Sequence, residues 1–172
     1  TTWFNFLLPP ELRCYFYTKT NSDRLNKDDL FSLTEFALIC FEELDGMRPA
    51  ELNQLKAMVT MPYVNERAAY GRNKERHPHI ASFCGTGNNV QFLTDPTGNR
   101  RWLPFEVSQI RDPHLHAIPY ELVYSQAYAL WKSGFCHWFS QEEIRKLNMH
   151  NSRFEVPNLE EDLIRTHFRK PF

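Results

Sequence analysis

An unbroken apolar run dominates the hydropathy pattern of this 172-residue chain. Every residue from 36 to 41 is apolar, in the sequence FALICF, which is typical of a strand covered on both faces in a parallel sheet. The run ends in two adjacent carboxylates, Glu42 and Glu43. Open α/β sheets place their functional groups at the carboxyl ends of strands, so we interpret the acid pair as a candidate site for Mg²⁺ and a water. The alternative is an acidic loop that follows a core strand.

The same kind of pattern predicts the other elements of an α/β fold. Helical spacing of apolar residues and capping signals predict helices over 1–8, 27–35, from Pro49 to near Pro62, over 119–133, and from Ser140 and Asn158 onward. Apolar and aromatic runs predict further strands over 14–17, 80–84 and 101–107. We interpret the polar stretch from Tyr63 to Pro78 as a hairpin or long loop with its tip near Gly71.

The order of these elements predicts two parts. A seam near Asp112-Pro113 divides an α/β core, residues 1–111, from a helical extension, residues 112–172. Since the chain begins with Thr1 and not with methionine, we expect a partial polypeptide.

Composition narrows the classes of function. The net charge of −1 gives no general attraction to nucleic acid, so any such contact requires a local basic patch. The four cysteines are widely spaced and form no CxxC pair, which favours small buried side chains in a reducing compartment over a disulfide or zinc framework. The sequence contains no stretch of spanning length and no secretory signal, so we expect a cytoplasmic protein without membrane contact.

Three polar signals follow one another along the chain. The acid pair ends the central strand, Asn88 follows the next strand in the sequence GTGN, and Arg100 and Arg101 precede WLPF. Hydrolysis of a nucleoside triphosphate requires a metal, a positioned water, a donor to the γ-phosphate and a cation that neutralises developing charge. The chain offers a candidate for each requirement, but it lacks a glycine-rich phosphate loop and its lysine.

These segments resemble the virulence-associated E (VirE) family of phage and mobile-element proteins, which is similar to superfamily 3 helicases. TTWFNFLLPPEL resembles the segment after the family's P-loop Gly-Lys, FEELD its acidic motif, GTGNNVQFL its sensor and DPTGNRRWLPF its arginine motif. The resemblance covers Thr1 to about Phe105 in the family's order. It implies a three-layer P-loop NTPase-like core of the AAA+/superfamily 3 type, which uses ATP and Mg²⁺.

The resemblance also implies roles for individual residues. Thr1 and Glu42 would hold Mg²⁺, and Thr2 would lie with them at the nucleotide; Glu42 stands where many P-loop enzymes have aspartate. Glu43 would polarise the attacking water, and Asn88 would contact the γ-phosphate or that water. Arg101 would be an arginine finger offered to a neighbouring subunit of a homo-oligomeric ring, with Arg100 as the alternative.

A basic segment lies between the acidic motif and the sensor. The resemblance implies a DNA-gripping hairpin there, and arginine and lysine beside a tyrosine also suit single-strand binding. Its candidate residues are Arg67, Tyr70, Arg72, Lys74 and Arg76. A solvated loop is the alternative, because Glu66 and Glu75 dilute the charge.

The expected function is that of an ATPase module that moves on or unwinds DNA. Without the Gly-Lys loop, we expect the isolated chain neither to bind ATP tightly nor to hydrolyse it. Two other functions stay open. One is a non-catalytic oligomerisation or regulatory module with an ATPase-like fold, and the other is a simple nucleic-acid-binding module.

Overall fold

A computed structural model describes residues 1–20, 26–67, 72–94 and 99–168 of the chain. Within these ranges the fold is mixed α/β, with a small parallel sheet, a separate hairpin and helices. The helices and strands are α1 (Thr2–Asn5), β1 (Phe16–Lys19), α2 (Lys27–Glu35), β2 (Leu38–Phe41), α3 (Pro49–Thr60), β3 (Tyr63–Glu66), β4 (Glu75–Pro78), β5 (Ser82–Gly85), α4 (Tyr120–Lys132), α5 (Gln141–Asn151) and α6 (Leu159–His167). Short 3₁₀ turns cover Pro10–Tyr15, Leu44–Gly46, Asn99–Arg101 and Ser152–Phe154.

The parallel sheet has the strand order β1-β2-β5, with β2 in the centre. Ile39, Cys40 and Phe41 of β2 are at most 2% exposed, because the strand has a neighbour on each edge and apolar side chains on each face. The predicted central strand is therefore confirmed. Its neighbours place Lys19 opposite Phe41 on one side and Gly85 opposite Phe41 on the other.

Local sequence signals determine where α2 and α3, the helices before and after β2 in the chain, begin. Asn26 caps α2 by accepting hydrogen bonds from the backbone N–H groups of Asp28 and Asp29, while Asp29 accepts one from the N–H of Asn26. Pro49 occupies the first turn of α3, where its missing N–H has no cost. Both predicted helices are confirmed.

The segment between α3 and β5 forms the predicted hairpin. Strands β3 and β4 pair in antiparallel fashion, with Tyr63 opposite Pro78 and Glu66 opposite Glu75. Val64 is fully buried, while the outward side chains of the hairpin are exposed. The predicted tip at Gly71 lies outside the described residues, as does Tyr70.

Several predicted elements need correction. The predicted strand over 101–107 is wrong: residues 99–101 form a 3₁₀ turn, and 102–107 adopt no regular structure. Pro104 has no N–H for a ladder, and the backbone carbonyl of Trp102 accepts a side-chain hydrogen bond instead of one from a strand. The 14–17 strand begins two residues late, at Phe16, because the 3₁₀ turn after the proline pair extends to Tyr15. The helix predicted over 1–8 covers only Thr2–Asn5.

The chain divides into two compact units. The first contains residues 1–88 and 106–138, and the second contains residues 89–105 and 139–172. In the second unit, the N–H groups of Phe92 and Leu93 both donate to the carbonyl of Phe154, which joins its two chain segments. The predicted seam at Asp112-Pro113 lies inside the first unit, and the assignment of 1–111 to an ATPase core stays a prediction. Among the described residues, no helix combines the length and the apolar character needed to cross a bilayer.

Candidate functional site

Glu42 and Thr1 meet at the carboxyl edge of the parallel sheet. The N–H of Glu42 donates to the carbonyl of Lys19 at 3.1 Å, so Glu42 continues the pairing between β2 and β1 by one residue. Its half-buried carboxylate accepts a hydrogen bond from the hydroxyl of Thr1, the residue that precedes α1. Two oxygen side chains that are 41 residues apart in sequence therefore lie in direct contact.

Glu43 adopts an unusual backbone conformation. Its φ of 54° and ψ of 47° lie in the left-handed region, and it is the one non-glycine residue with positive φ in the described part of the chain. This conformation costs a non-glycine residue about 1 to 2 kcal/mol, and such strain is concentrated at functional sites. The strand ends here, and the side chain of Glu43 is exposed beside the half-buried Glu42.

The loop after β5 is interlocked with the turn after β2. The N–H of Thr86 donates to the carbonyl of Phe41, and the N–H of Leu44 donates to the carbonyl of Thr86, both at 2.9 Å. The approach is too close for a Cβ at two positions, the last residue of β5 and the second residue after the strand. A Cβ on Gly85 would lie 2.2 Å from Leu44 Cδ1, and one on Gly87 would lie 2.9 Å from Asp45 Oδ1.

This interlock positions the predicted sensor. Asn88 directly follows Gly87 and is exposed. The backbone hydrogen bonds of Thr86 hold this loop against the turn after β2 two residues before Asn88, and that turn contains Glu43. The structure therefore brings together the sheet-edge segments that carry the predicted acid pair, the predicted sensor and Thr1.

A buried ion pair lies at the end of β1. The ammonium group of Lys19 is 2.8 Å from Oδ1 and 2.9 Å from Oδ2 of Asp29, and both side chains are less than a tenth exposed. Sequence reasoning missed this pair because it ended the predicted strand at residue 17, two residues before Lys19. Two sequence features could have indicated the pair. Asp29 lies in the capping motif at the start of α2, and Lys19 closely follows the aromatic residues of β1.

Two cysteines lie side by side on neighbouring strands, each one residue before its strand ends. Cys40 of β2 pairs in register with Cys84 of β5, and both are free thiols. The hydrogen bond from Cys84 lowers the pKa of Cys40, while the same contact and burial raise the pKa of Cys84. The expectation of buried thiols is confirmed for Cys40, whereas Cys84 is half-buried and Cys14 and Cys136 are exposed.

The predicted arginine pair lies in the second unit. Arg100 and Arg101 occupy a 3₁₀ turn with the buried Asn99, and both arginine side chains are exposed. The turn keeps two cationic groups in solvent at adjacent positions. The carboxyl edge of the sheet, in contrast, belongs entirely to the first unit.

The hairpin presents the predicted basic surface. Its described basic residues, all exposed, are Arg67, Arg72, Lys74 and Arg76. The guanidinium of Arg76 stacks 3.5 Å from the ring centroid of Tyr63, which pre-orders one cation on the strand. Glu66 pairs with Lys27, and this contact lowers the pKa of Glu66.

The chemistry of the sheet edge suits a hard cation. A hydroxyl and a carboxylate are oxygen ligands of the kind that Mg²⁺ prefers, and Mg²⁺ is usually held by few protein groups together with phosphates and water. Within the described ranges, no group of three or more His, Cys, Asp or Glu side chains is arranged to hold a metal ion. The hydroxyl of Thr1 and the carboxylate of Glu42 are compatible with a cation that takes its other ligands from phosphate and water.

Comparison with known proteins gives the family. No curated protein matches the chain. The model of the virulence-associated protein E-like domain matches residues 1–156, which is most of the chain. This match shows that the chain belongs to the virulence-associated protein E-like domain family.

Proposed function

We propose that this chain is part of an ATPase module with a three-layer P-loop-type core, which hydrolyses ATP with Mg²⁺ and couples hydrolysis to movement on DNA. The observation that carries the proposal is the hydrogen bond from the Thr1 hydroxyl to the Glu42 carboxylate at the carboxyl edge of the parallel sheet. In P-loop NTPases, a hydroxyl of the phosphate loop and an acid at a strand end hold the metal together. The pairing of these two groups supports the same arrangement here.

Thr1 and Glu42 are the residues that would hold the metal. When bound, Mg²⁺ supplies charge neutralisation to the phosphate oxygens. The contact between the two side chains places both oxygen ligands at one point of the sheet edge. The central strand fixes Glu42 through its backbone hydrogen bond to Lys19, so the ligand does not have to be ordered when substrate binds.

Glu43 and Asn88 act on the water and the γ-phosphate. The exposed carboxylate of Glu43 accepts a proton from the attacking water. Because the backbone of Glu43 is left-handed, the chain turns away from the direction of β2 at this residue, whereas Glu42 still follows the strand. The amide of Asn88 donates to the γ-phosphate or orients the water. The hydrogen bonds between the two loops keep these two groups on the same edge.

The central test uses Glu43→Gln in the natural protein that contains this chain. Loss of the general base should lower ATP turnover by about 10² to 10⁴-fold, while ATP binding is retained. Glu35→Gln is the matched control, because Glu35 is also an exposed glutamate of the first unit but ends a helix away from the sheet edge. Turnover of Glu43→Gln at the control's rate would overturn the proposal.

A mixing experiment tests the arginine finger in trans. Arg101→Ala should lower turnover by roughly 10³-fold or more and spare nucleotide binding, whereas Arg100→Ala should have a smaller effect. If the finger acts between subunits, mixing Arg101→Ala with Glu43→Gln should restore part of the activity, because some interfaces then combine an intact acid with an intact arginine. The absence of any restored activity would assign the arginine to its own subunit.

Salt dependence tests the DNA contact of the hairpin. Replacement of Arg72 and Lys74 by glutamine should weaken DNA binding and flatten the slope of log K against log salt by about 1 to 2. Control substitutions at the exposed Arg111 and Lys132 keep the same loss of charge outside the hairpin. DNA binding that depends on these residues but is unaffected by ATP would instead favour a simple nucleic-acid-binding module.

A further inference from the structure

We infer that Asn151 is a positioning residue that fixes the turn carrying Arg100 and Arg101. Asn151 is the last residue of α5 and is fully buried. Its side-chain NH₂ group donates to the carbonyl of Asn99 at 2.7 Å and to the carbonyl of Trp102 at 3.0 Å. These are the carbonyls immediately before and immediately after the arginine pair. One amide group therefore holds both ends of the turn.

A second buried amide anchors the same turn. Asn99 is 2% exposed, and its side-chain NH₂ donates to Oε1 of Glu155 at 2.6 Å. The N–H of Trp102 donates to the carbonyl of Asn99 at 3.0 Å, which closes the turn. The backbone on each side of the arginines is thus tied to the end of α5 and to the segment that follows it, while the arginine side chains extend into solvent.

The cost of these buried amides argues for a role in geometry. The side-chain oxygens of Asn99 and Asn151 are buried and have no hydrogen-bond partner within the described residues. A buried polar atom without a partner costs about 1 to 3 kcal/mol, so each asparagine is unfavourable at its oxygen and favourable at its NH₂ group, which makes the hydrogen bonds described above. Asparagine at position 151 serves the turn, because its NH₂ group has two N–H donors, one for each carbonyl that flanks the arginine pair.

The inference rests on the proposed role of the arginine pair. A cation that stabilises a transition state must be placed accurately, and a shift of about 1 Å at a catalytic group can cost about 10²-fold in rate. Loss of the Asn151 donor should therefore lower kcat and leave the KM for ATP nearly unchanged. A residue that only stabilised the fold would lower the amount of active protein without changing the kcat of the folded fraction.

Two substitutions of Asn151 remove the donor in different ways. Asn151→Leu keeps the volume and removes the polar atoms, and Asn151→Asp keeps the shape but replaces the donating NH₂ by an acceptor. Asn148→Leu and Asn148→Asp are the controls, because Asn148 is exposed on the same helix. The natural protein is assayed for kcat and KM, for rate of trypsin cleavage after Arg100 and Arg101, and for hydrogen exchange of the Trp102 amide.

We expect the Asn151 variants to change both the kinetics of ATP hydrolysis and the accessibility of the turn to trypsin. Both Asn151 variants should be cleaved faster at the turn, and their kcat should fall by about tenfold to a hundredfold while KM shifts by less than about twofold. A cleavage rate and an exchange rate equal to those of the controls would overturn the inference. So would a faster cleavage with unchanged kcat, in a protein whose Arg101→Ala variant is inactive.

Glu155 provides a second, milder test if the Asn151 variants fold poorly. Glu155 is only half-buried, so Glu155→Ala removes the anchor of Asn99 at smaller structural cost. Glu155→Gln keeps an oxygen that accepts from Asn99 and should restore both the kcat and the slow cleavage. Equal behaviour of the alanine and glutamine variants would contradict the inference.

The trypsin readout separates this inference from the proposed function. If Arg100→Ala and Arg101→Ala both retained full turnover, the finger role would fail. The cleavage and exchange rates of the Asn151 variants would still report whether its amide holds the turn. If instead the arginines are essential but the turn is unaffected by Asn151, the positioning role alone is overturned.

Discussion

Strand β2 and helix α4 are both apolar in sequence, but they differ in burial. The last three residues of β2 are at most 2% exposed, whereas every residue of α4 after Tyr120 is exposed, with Leu122 and Trp131 both at 72%. Helix α4 is attached to the start of the chain by polar groups: the hydroxyls of Tyr120 and Tyr124 donate to the carbonyls of Phe6 and Leu7. Apolar character locates an element, while its neighbours in the fold decide whether it is buried.

The largest expected effect concerns a phenylalanine in each region. Phe41→Ala should lower the free energy of unfolding by about 3 to 5 kcal/mol, because it removes a fully buried ring and leaves a cavity in the central strand. Phe135→Ala removes the same ring just after α4, where it is 61% exposed, and should change stability by less than about 0.5 kcal/mol. Urea unfolding measures both. Equal losses would mean that the region around α4 is as closely packed as the sheet.

Ion pairs extend the comparison from apolar to charged groups. Asp29→Asn should cost about 3 kcal/mol, because it leaves the buried Lys19 ammonium without its carboxylate. Glu142→Gln breaks an exposed pair with Lys146 in α5, where both side chains are more than two-thirds exposed, and should cost less than about 0.5 kcal/mol. Thermal and urea unfolding should rank the variants in this order. A loss for Asp29→Asn as small as that for Glu142→Gln would contradict the expected cost of breaking a buried pair.

Two glycines extend the comparison between the sheet and the region of α4 to the residues at which β5 and α4 end. Gly85→Ala should cost about 2 kcal/mol, since its Cβ would overlap Leu44 at the end of the sheet. Gly134→Ala should cost about 1 kcal/mol for a different reason: the site after α4 is open, but φ is +73°. Gly134→Asn should recover part of that loss, because asparagine tolerates the left-handed region.

The control glycine has neither constraint. A Cβ on Gly46 would meet no atom within 4 Å, and the backbone of Gly46 has no positive φ, so Gly46→Ala should have little effect on the free energy of unfolding. A loss at Gly46 as large as that at Gly85 would show that the effect does not come from contact with Leu44.

Local sequence signals predicted the elements that depend on near neighbours. The apolar run of β2, the helical spacing of apolar residues in α2 and the Ser140 cap of α5 all act within a few residues, and each of these elements is confirmed. The predicted strand over 101–107 failed because Pro104 has no N–H for a ladder and because the carbonyl of Trp102 accepts from Asn151, which lies 49 residues away. No local pattern reports such a contact.

The residues of the candidate site also differ in whether local sequence could predict them. The acid pair and Asn88 could be predicted from the polar residues that follow apolar strands, since parallel strands share one carboxyl edge. The contact between Thr1 and Glu42 came from the resemblance to a family, because it joins the start of the chain to the central strand. The left-handed backbone of Glu43 had no signal, as glutamate rarely adopts it.

The smallest expected effect concerns an exposed cap in the second unit. Glu143 accepts hydrogen bonds from the N–H and the hydroxyl of Ser140 at the start of α5, and these bonds lower the pKa of Glu143 below its usual 4.5. A lowered pKa in the folded state means that the cap stabilises the protein above the usual pKa and that this contribution disappears as the pH falls through the lowered value. Glu143→Gln should therefore be slightly less stable than the natural protein near neutral pH, and the difference should shrink in acid. Urea unfolding of both proteins across this range, with the exposed Glu106→Gln as control, measures the change; a difference that grows as the pH falls would contradict the assignment.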